Sequence, residues 1–425
     1  MADTTREIGA AEETLLEPVI PRGPALPPHL LTNRPFLWLV IGTGVGGVSF
    51  WSYFGAVWAD GAFRFHATPG EMSMLLGAFS LPFAFLVPLQ GMAVDRWSPK
   101  WMNLLGYAIA VAGMPIAWAG GSLGFLYASS FVVGVGAAMV IPARSALTGL
   151  LNEESRLVQA NGALSAAIQL SIIIGPLYGG LVLRGHDTDI VYAAAVATGI
   201  VSLGVMLLVP DRRQTKERPA LALRDVGRGF LTSWRLPELR LLLGLYGMGW
   251  LISNAVFVLE PLFVKNTLHL GGDVVQFIWV SHGVGAFLGA VWMTRLRRGA
   301  GLELLLVGVS LVVLGAGLLL IYSTATFATA LIGAAIDGVG FSVFLTAGLA
   351  LIQRVVGEDE FGRVTSVFAI LQEGTSIVLA LVIVPLGALV LVRPTLIVSS
   401  VVIVATGVVG LFALRRVEAR TARAR

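Results

Sequence analysis

From Phe36 onward the chain is a series of apolar runs, each about as long as a helix must be to cross a bilayer. That property excludes almost every water-soluble architecture, because only helices and closed barrels satisfy their own backbone polar groups in lipid. A hydrocarbon core of roughly 30 Å takes about 20 helical residues. Runs of that size lie near 36–58, 72–93, 101–119, 123–142, 158–183 and 190–209, and again near 239–264, 274–294, 302–322, 325–350, 364–388 and 394–414. With 56% hydrophobic and 13% charged residues, a soluble fold of 425 residues could not cover its core. The expected fold class is an all-α membrane protein with twelve transmembrane helices in two pseudo-symmetric six-helix bundles.

The polar segments divide the chain into a tail over 1–33, six spans over 34–210, a linker over 211–238, six spans over 239–416 and a basic tail over 417–425. The first tail has five acidic residues and a proline cluster (Pro21, Pro24, Pro27, Pro28), a mix that favours an extended chain. No signal peptide is read before 36–58, which is expected to act as an uncleaved start signal. The linker mixes Arg212, Arg213, Lys216, Arg218, Arg224, Arg228 and Arg235 with Pro219 and Pro237, as expected of a headgroup-touching tether with a short amphipathic helix. All but Arg64, Arg184, Lys265 and Arg393 of the 29 Lys and Arg fall on the side of the two termini, so the positive-inside rule puts both ends in the cytoplasm. There is no cysteine, which removes disulfides, thiolate metal sites and cysteine nucleophiles.

At the turn between spans 2 and 3 stands Gly91-Met-Ala-Val-Asp95-Arg96-Trp-Ser-Pro-Lys100. Span 5 carries Gly162, Ser171, Gly175, Pro176, Gly179 and Gly180, and its Gly175/Gly179 pair permits close approach of another backbone. Pro142-Ala-Arg144-Ser-Ala-Leu and Arg156-Leu-Val-Gln-Ala-Asn161-Gly162 flank the junction of spans 4 and 5. Together these resemble the major facilitator superfamily, with macrolide-efflux-type drug/proton antiporters as the first choice and lysophospholipid transporters as the second. The resemblance covers 34–416, its sharp motifs lying in the first half. It implies that Gly91, Asp95, Arg96 and Lys100 form a conformational gate, with Asp95 meeting the start of span 11 near Phe361–Arg363. It also implies that Gly162, Gly175, Pro176, Gly179 and Gly180 form an antiporter-like helix motif. Two departures stand out: Ser98 replaces a usual glycine, and Ser130 stands where drug/proton antiporters often carry an arginine before Gly134-Val-Gly136-Ala-Ala. Weak echoes relate the halves, with Met293 in the place of the loop aspartate and Arg363 and Pro385 answering Arg156 and Pro176.

Of 25 acidic residues, Glu260, Asp337 and Glu373 alone fall well within the predicted spans, with His282 the one such histidine of five. All belong to the second half. A charge in lipid costs at least a few kcal/mol, so each should face protein or a watered cavity and be neutralised by a partner or a proton. Desolvation favours the neutral form of any carboxyl group, which suits reversible protonation. These four are the proton-coupling candidates, with a structural hydrogen bond or salt bridge as the competing role. Substrate-cavity candidates are Trp51, Tyr53, Gln169, Tyr246, Trp250, Asn254 and Gln372. Tyr246, Trp250 and Asn254 share one helix face by their four-residue spacing, and the resemblance implies that spans 1, 4, 7 and 10 line the cavity. Packing or interface anchoring competes at each aromatic.

The expected function is export of a hydrophobic or amphipathic small molecule by proton antiport and alternating access in a bacterial inner membrane. Such a protein would be monomeric, with protons, a small-molecule substrate and the bilayer as partners, without cofactor, metal or nucleic acid. Alternatives are a lipid or lysolipid transporter, a proton-coupled importer and, from another class, a membrane ligand-binding sensor. The sequence contains no GxxxxGK[ST] loop and no HExxH helix, which argues against a nucleotide-driven pump or a zinc enzyme.

Overall fold

The computed structural model describes residues 32–96, 98–153, 156–184, 187–212, 223–296, 302–324 and 326–424; at 84, 87–96, 158, 223–226, 358, 359, 388 and 414–424 it describes the backbone alone. Twelve long helices follow one another among the described residues: α1 Arg34–Ala59, α2 Pro69–Arg96, α3 Pro99–Ala119, α4 Leu123–Leu151, α5 Leu157–Leu183 and α6 Thr188–Leu207, then α7 Pro237–Phe263, α8 Gly272–Arg295, α9 Leu302–Ser323, α10 Phe327–Val355, α11 Glu358–Leu386 and α12 Val392–Ala424. Eleven meet the length and hydropathy of a membrane span, and α2, 28 residues long, carries the apolar run 72–94. No strand occurs among the described residues.

Helix starts use local chemistry. The Asn33 side chain accepts from Phe36 N ahead of α1, whose Pro35 needs no hydrogen bond in the first turn. Thr68 and Glu71 cap α2 reciprocally, Thr68 N donating to Glu71 Oε2 at 2.7 Å and Glu71 N to Thr68 Oγ1 at 3.3 Å. Three helices outrun the sequence expectation. Pro142 does not stop α4, which continues to Leu151 because Leu147 and Leu151 are buried beyond it, so Arg144 sits on a helix. Helix α11 begins at Glu358, and α12 runs on through the expected basic tail to Ala424.

Within each half the same pairs pack: α1 on α5 and α6, α2 on α4, α3 on α4 and α6, answered by α7 on α11 and α12, α8 on α10, α9 on α10 and α12. A displacement of 203 or 204 residues along the chain relates the contacts that follow. Gly134-Val-Gly136 of α4 has its counterpart in Gly338-Val-Gly340 of α10. A Cβ at Gly134 would lie 2.2 Å from the Phe79 carbonyl of α2, and one at Gly338 2.0 Å from the His282 carbonyl of α8. Likewise α1 and α7 each end in a π turn, Asp60–Arg64 and Val264–Leu268, followed within two residues by a left-handed histidine, His66 (φ 52°) or His269 (φ 55°). This symmetry rests on positions other than those of the sequence echo, since Met293, Arg363 and Pro385 stand 198, 207 and 209 residues after Asp95, Arg156 and Pro176.

Alternation of twelve helices puts the start of α1 and the end of α12 on one face, here the termini face; the other is the distal face. The halves meet through α2 on α11 and α5 on α8. Between them in sequence, the linker helix Leu223–Arg235 backs onto α11, where a Cβ at Gly229 would lie 2.4 Å from the Arg363 carbonyl. It leaves Phe230, Leu231 and Trp234 exposed, a pattern suited to the bilayer interface.

Candidate functional site

The halves enclose a cavity of about 640 Å³. Its walls are chiefly aromatic and aliphatic, with Phe50, Trp51, Phe54 and Phe79 from the first half and Trp250, Phe257, Trp279 and Phe341 from the second. It is shut at the distal face. Trp58 Nε1 donates to the Phe257 carbonyl at 3.1 Å, Lys265 Nζ to the Ala62 carbonyl at 2.6 Å, and Arg184 Nε meets Asp273 Oδ2 at 3.3 Å, each bond crossing from one half to the other. Glycines close the seam further: a Cβ at Gly179 or Gly55 would meet Gln276 of α8 at 2.2 or 2.7 Å, and one at Gly77 would meet Ala380 of α11 at 3.0 Å.

All four acid–base candidates line this cavity. His282 Nδ1 pairs with Asp337 Oδ2 at 2.6 Å, a contact between α8 and α10. The pair forms because Gly285 and Gly338 let those helices cross with backbones touching, each glycine facing a carbonyl of the other helix at 2.0 Å from its absent Cβ. Glu260, 5% exposed, does not bond His282; it accepts from Trp279 Nε1 of α8 at 2.8 Å and from the Tyr322 hydroxyl of α9 at 3.2 Å. A buried carboxylate so held is locked between three helices. Glu373 has a long contact to Gln372 Nε2 at 3.4 Å, and Ser80 of α2 lies within side-chain hydrogen-bonding reach. It is thus the acid that touches the seam between the halves. The displacement that relates the halves takes Glu373 to Gln169, another lining residue, but Asp337 to Val133 and Glu260 to Ala56, so the acids belong to one wall only.

Trp51, Gln169, Trp250, Asn254 and Gln372 also line the cavity, and Asn254 Nδ2 donates to Thr375 Oγ1 of α11 at 3.1 Å. Two candidates do not. Tyr53 is fully buried in the first bundle, its hydroxyl 2.6 Å from Ser129 Oγ, because α1 turns that face toward α4. Tyr246 shares its helix face with Trp250 but stacks on Phe344 and meets Phe368 edge-on, filling the second bundle instead.

In the expected gate, Lys100 Nζ donates to the Leu207 carbonyl at 3.0 Å, a cation closing the last turn of α6. Ser98, in place of the usual glycine, donates to Asp211. Gly91, Asp95 and Arg96 lie at the end of α2, and the expected contact of Asp95 with α11 lies outside the described side chains. The α5 motif divides by task. Gly175 faces Trp51 and Val48 of α1 within its own half, Gly179 and Gly180 face Gln276 across the seam, Pro176 lines the cavity, and Gly162 meets nothing within 4 Å.

Two charged residues escaped the sequence reading. Asp60, 1% exposed, accepts from Thr188 Oγ1 at 2.6 Å and the Tyr192 hydroxyl at 3.0 Å; the π turn carries it inside the span, where the run 36–58 left it out. Arg144, taken for a loop residue beyond span 4, lines the cavity beside Tyr107. A helix that ignores Pro142 would have revealed it.

Among relatives, the chain is 23% identical to Multidrug resistance protein 1 of Bacillus subtilis (strain 168) over 298 residues, 69% of this chain and 75% of the relative. It is 27% identical over 235 residues to the lysophospholipid transporter LplT of Pectobacterium carotovorum subsp. carotovorum (strain PC1), covering 52% of this chain and 56% of that protein. The match to the uncharacterized MFS-type transporter YfiS of Bacillus subtilis (strain 168), 24% identical, spans 50% of this chain and 52% of the relative. The chain thus spans about half the length of several curated relatives it matches. In fold it is similar to a POT family transporter solved with a thioalcohol-conjugated peptide (TM-score 0.71, 14% identity, 90% of this chain and 96% of that one). It is also similar to an inward-facing bacterial homologue of the lysosomal transporter Spinster (TM-score 0.68, 14% identity, 90% and 97%). The sequence profile of the Major Facilitator Superfamily matches residues 39–380, and the chain belongs to that superfamily.

Proposed function

We propose that the protein is a secondary active transporter that exports a hydrophobic or amphipathic small molecule in exchange for protons. The observation that carries this reading is the His282–Asp337 pair, set with Glu373 in the wall of an aromatic cavity between two halves. Such a cavity, closed at one face by few and small contacts, suits rocking of the halves about a mid-membrane site. A proton gained or lost at the His282–Asp337 pair, or at Glu373 beside Ser80 of the facing half, changes the contacts that each makes, so proton occupancy bears on the packing of both. The termini face is cytoplasmic on the charge distribution, the distal face external, and the membrane a bacterial inner membrane. The multidrug and lysophospholipid names among the relatives support an apolar or amphipathic cargo. The protein acts as a monomer and not as an enzyme, and both Gly91–Lys100 and the α5 glycines serve the conformational exchange.

The test is flux in proteoliposomes under an imposed pH gradient, with candidate cargoes screened for movement. Asp337→Asn and Glu373→Gln should each abolish gradient-driven movement while the protein keeps its elution profile. Wild-type coupling in the double variant would remove both as proton carriers, and binding with no flux for any cargo would favour a sensor.

A further inference from the structure

We propose that the substrate cavity is built for an amphipathic organic anion, whose phosphate, sulfate or carboxylate is held by Arg144 while its apolar body lies among the aromatic residues above. This rests on the cavity being the transport site.

The argument starts from which polar groups of the wall already have partners. Asp337 is paired with His282, and Glu260 accepts from both Trp279 and Tyr322. Glu373 has Gln372 and Ser80 in reach. Asp337 and Glu260, two of the three acids that would receive a cationic cargo, are thus engaged by the protein itself, and Glu373 keeps only long contacts. Arg144 is the opposite case. Among the described residues it pairs with no carboxylate, and the side chain beside it is the neutral hydroxyl of Tyr107. A guanidinium offers five N–H donors in a fork that matches a planar or tetrahedral oxyanion, so an uncompensated one on a cavity wall asks for a negative ligand.

Position supports the same reading. Arg144 stands two turns from the termini-face end of α4 and Glu260 one turn from the distal end of α7, which puts roughly 25 Å of cavity axis between them at 1.5 Å per residue. The intervening wall carries Phe50, Phe54, Phe83, Trp250 and Phe341. By the same count Asp337, 18 residues from the termini-face end of α10, and Glu373, 15 residues into α11, lie roughly 12–16 Å beyond Arg144, so an anion held there is out of contact with both and points its apolar part into rings that suit it.

The test uses two probes with one body and opposite charge, pyrenebutyrate and pyrenebutylamine, titrated into the full-length protein in phosphatidylcholine nanodiscs. Trp51, Trp250 and Trp279 line the cavity, so energy transfer from tryptophan to pyrene reports occupancy. Pyrenebutyrate should bind at least about tenfold more tightly than the amine, Arg144→Gln should lose about tenfold or more for the anion alone, and Arg144→Lys should keep most of the preference. Equal elution and melting of the three proteins exclude a folding defect. Preference for the amine, no binding of either probe, or an anion preference that survives Arg144→Gln overturns the proposal. Adding phosphatidylglycerol then tells the source: displacement of pyrenebutyrate assigns the site to a lipid anion, its retention to a soluble one. Binding is measured without a gradient, so loss of flux and loss of the anion preference are separate outcomes.

Discussion

Gly179→Ala places a methyl group where the distal seam has no room for one. The new Cβ would stand 2.2 Å from Gln276 Oε1 and 3.0 Å from its Cδ, far inside ordinary contact. Gln276 has nowhere to move, because it is fully buried and a Cβ at Gly55 on α1 would already lie 2.7 Å from the same amide. Overpacking of this kind costs about 1–3 kcal/mol. That cost falls on the distally closed arrangement and is relieved wherever α5 and α8 part, so the ratio of open to closed should rise by roughly five- to 150-fold. The chain has no cysteine, so a single Ala59→Cys reports the seam on a silent background. Ala59 is 3% exposed, and the position of a Cβ at Gly272 of α8 lies 3.0 Å from its own. Maleimide labelling from the distal side should be slow in the parent and faster, within that range, in the Gly179→Ala background. Gln276→Met should act oppositely, because both amide atoms of Gln276 are buried without a hydrogen bond and an apolar chain of similar shape removes that penalty. Equal labelling rates in all three proteins, with unchanged elution, would refute the claim that this seam sets the distal closure.

Three further outcomes follow from the packing. Gly338→Ala drives a Cβ to 2.0 Å from the His282 carbonyl and should part α10 from α8, abolishing pH-driven flux as completely as Asp337→Asn; wild-type flux would mean that the crossing is looser than described. Trp279→Phe and Tyr322→Phe each remove a donor from buried Glu260 and should each lower stability by about 1–3 kcal/mol in thermal unfolding of the purified protein, an effect that Glu260→Gln should not reproduce additively. Asp60→Asn leaves one acceptor oxygen for Thr188 and Tyr192 together and should cost about 1–3 kcal/mol, and an unchanged melting temperature would show that this buried acid is no anchor of the α1–α6 contact.

Periodicity and length determined the helices. Twelve apolar runs in a chain with so few charges have one way to satisfy their backbones in lipid, and the Gly-Pro pattern of span 5 already marked where helices come close. Helix ends were less legible, since burial of Leu147 and Leu151 overrides the break that Pro142 suggests and moves Arg144 from a loop to the cavity wall. Glu260, Asp337 and Glu373 could be picked out one by one from hydropathy, because a buried charge is costly wherever it lies, whereas Asp60 could not, since the π turn that carries it inside lies past the run 36–58. Which of them touch could not, because such contacts depend on the crossing of helices far apart in sequence. The Gly285/Gly338 contact makes His282 and Asp337 a pair, and the approach of α8 and α9 to α7 gives Glu260 to Trp279 and Tyr322 instead. Aromatic positions show the same divide: Trp51 and Tyr53 are two residues apart on α1, and only the rotation of that helix against α4 and α5 sends one ring to the cavity and buries the other. The sequence by itself determined that this chain lives in a membrane as twelve helices; tertiary packing decided which polar groups satisfy one another and which, like Arg144, are left facing the space between the halves.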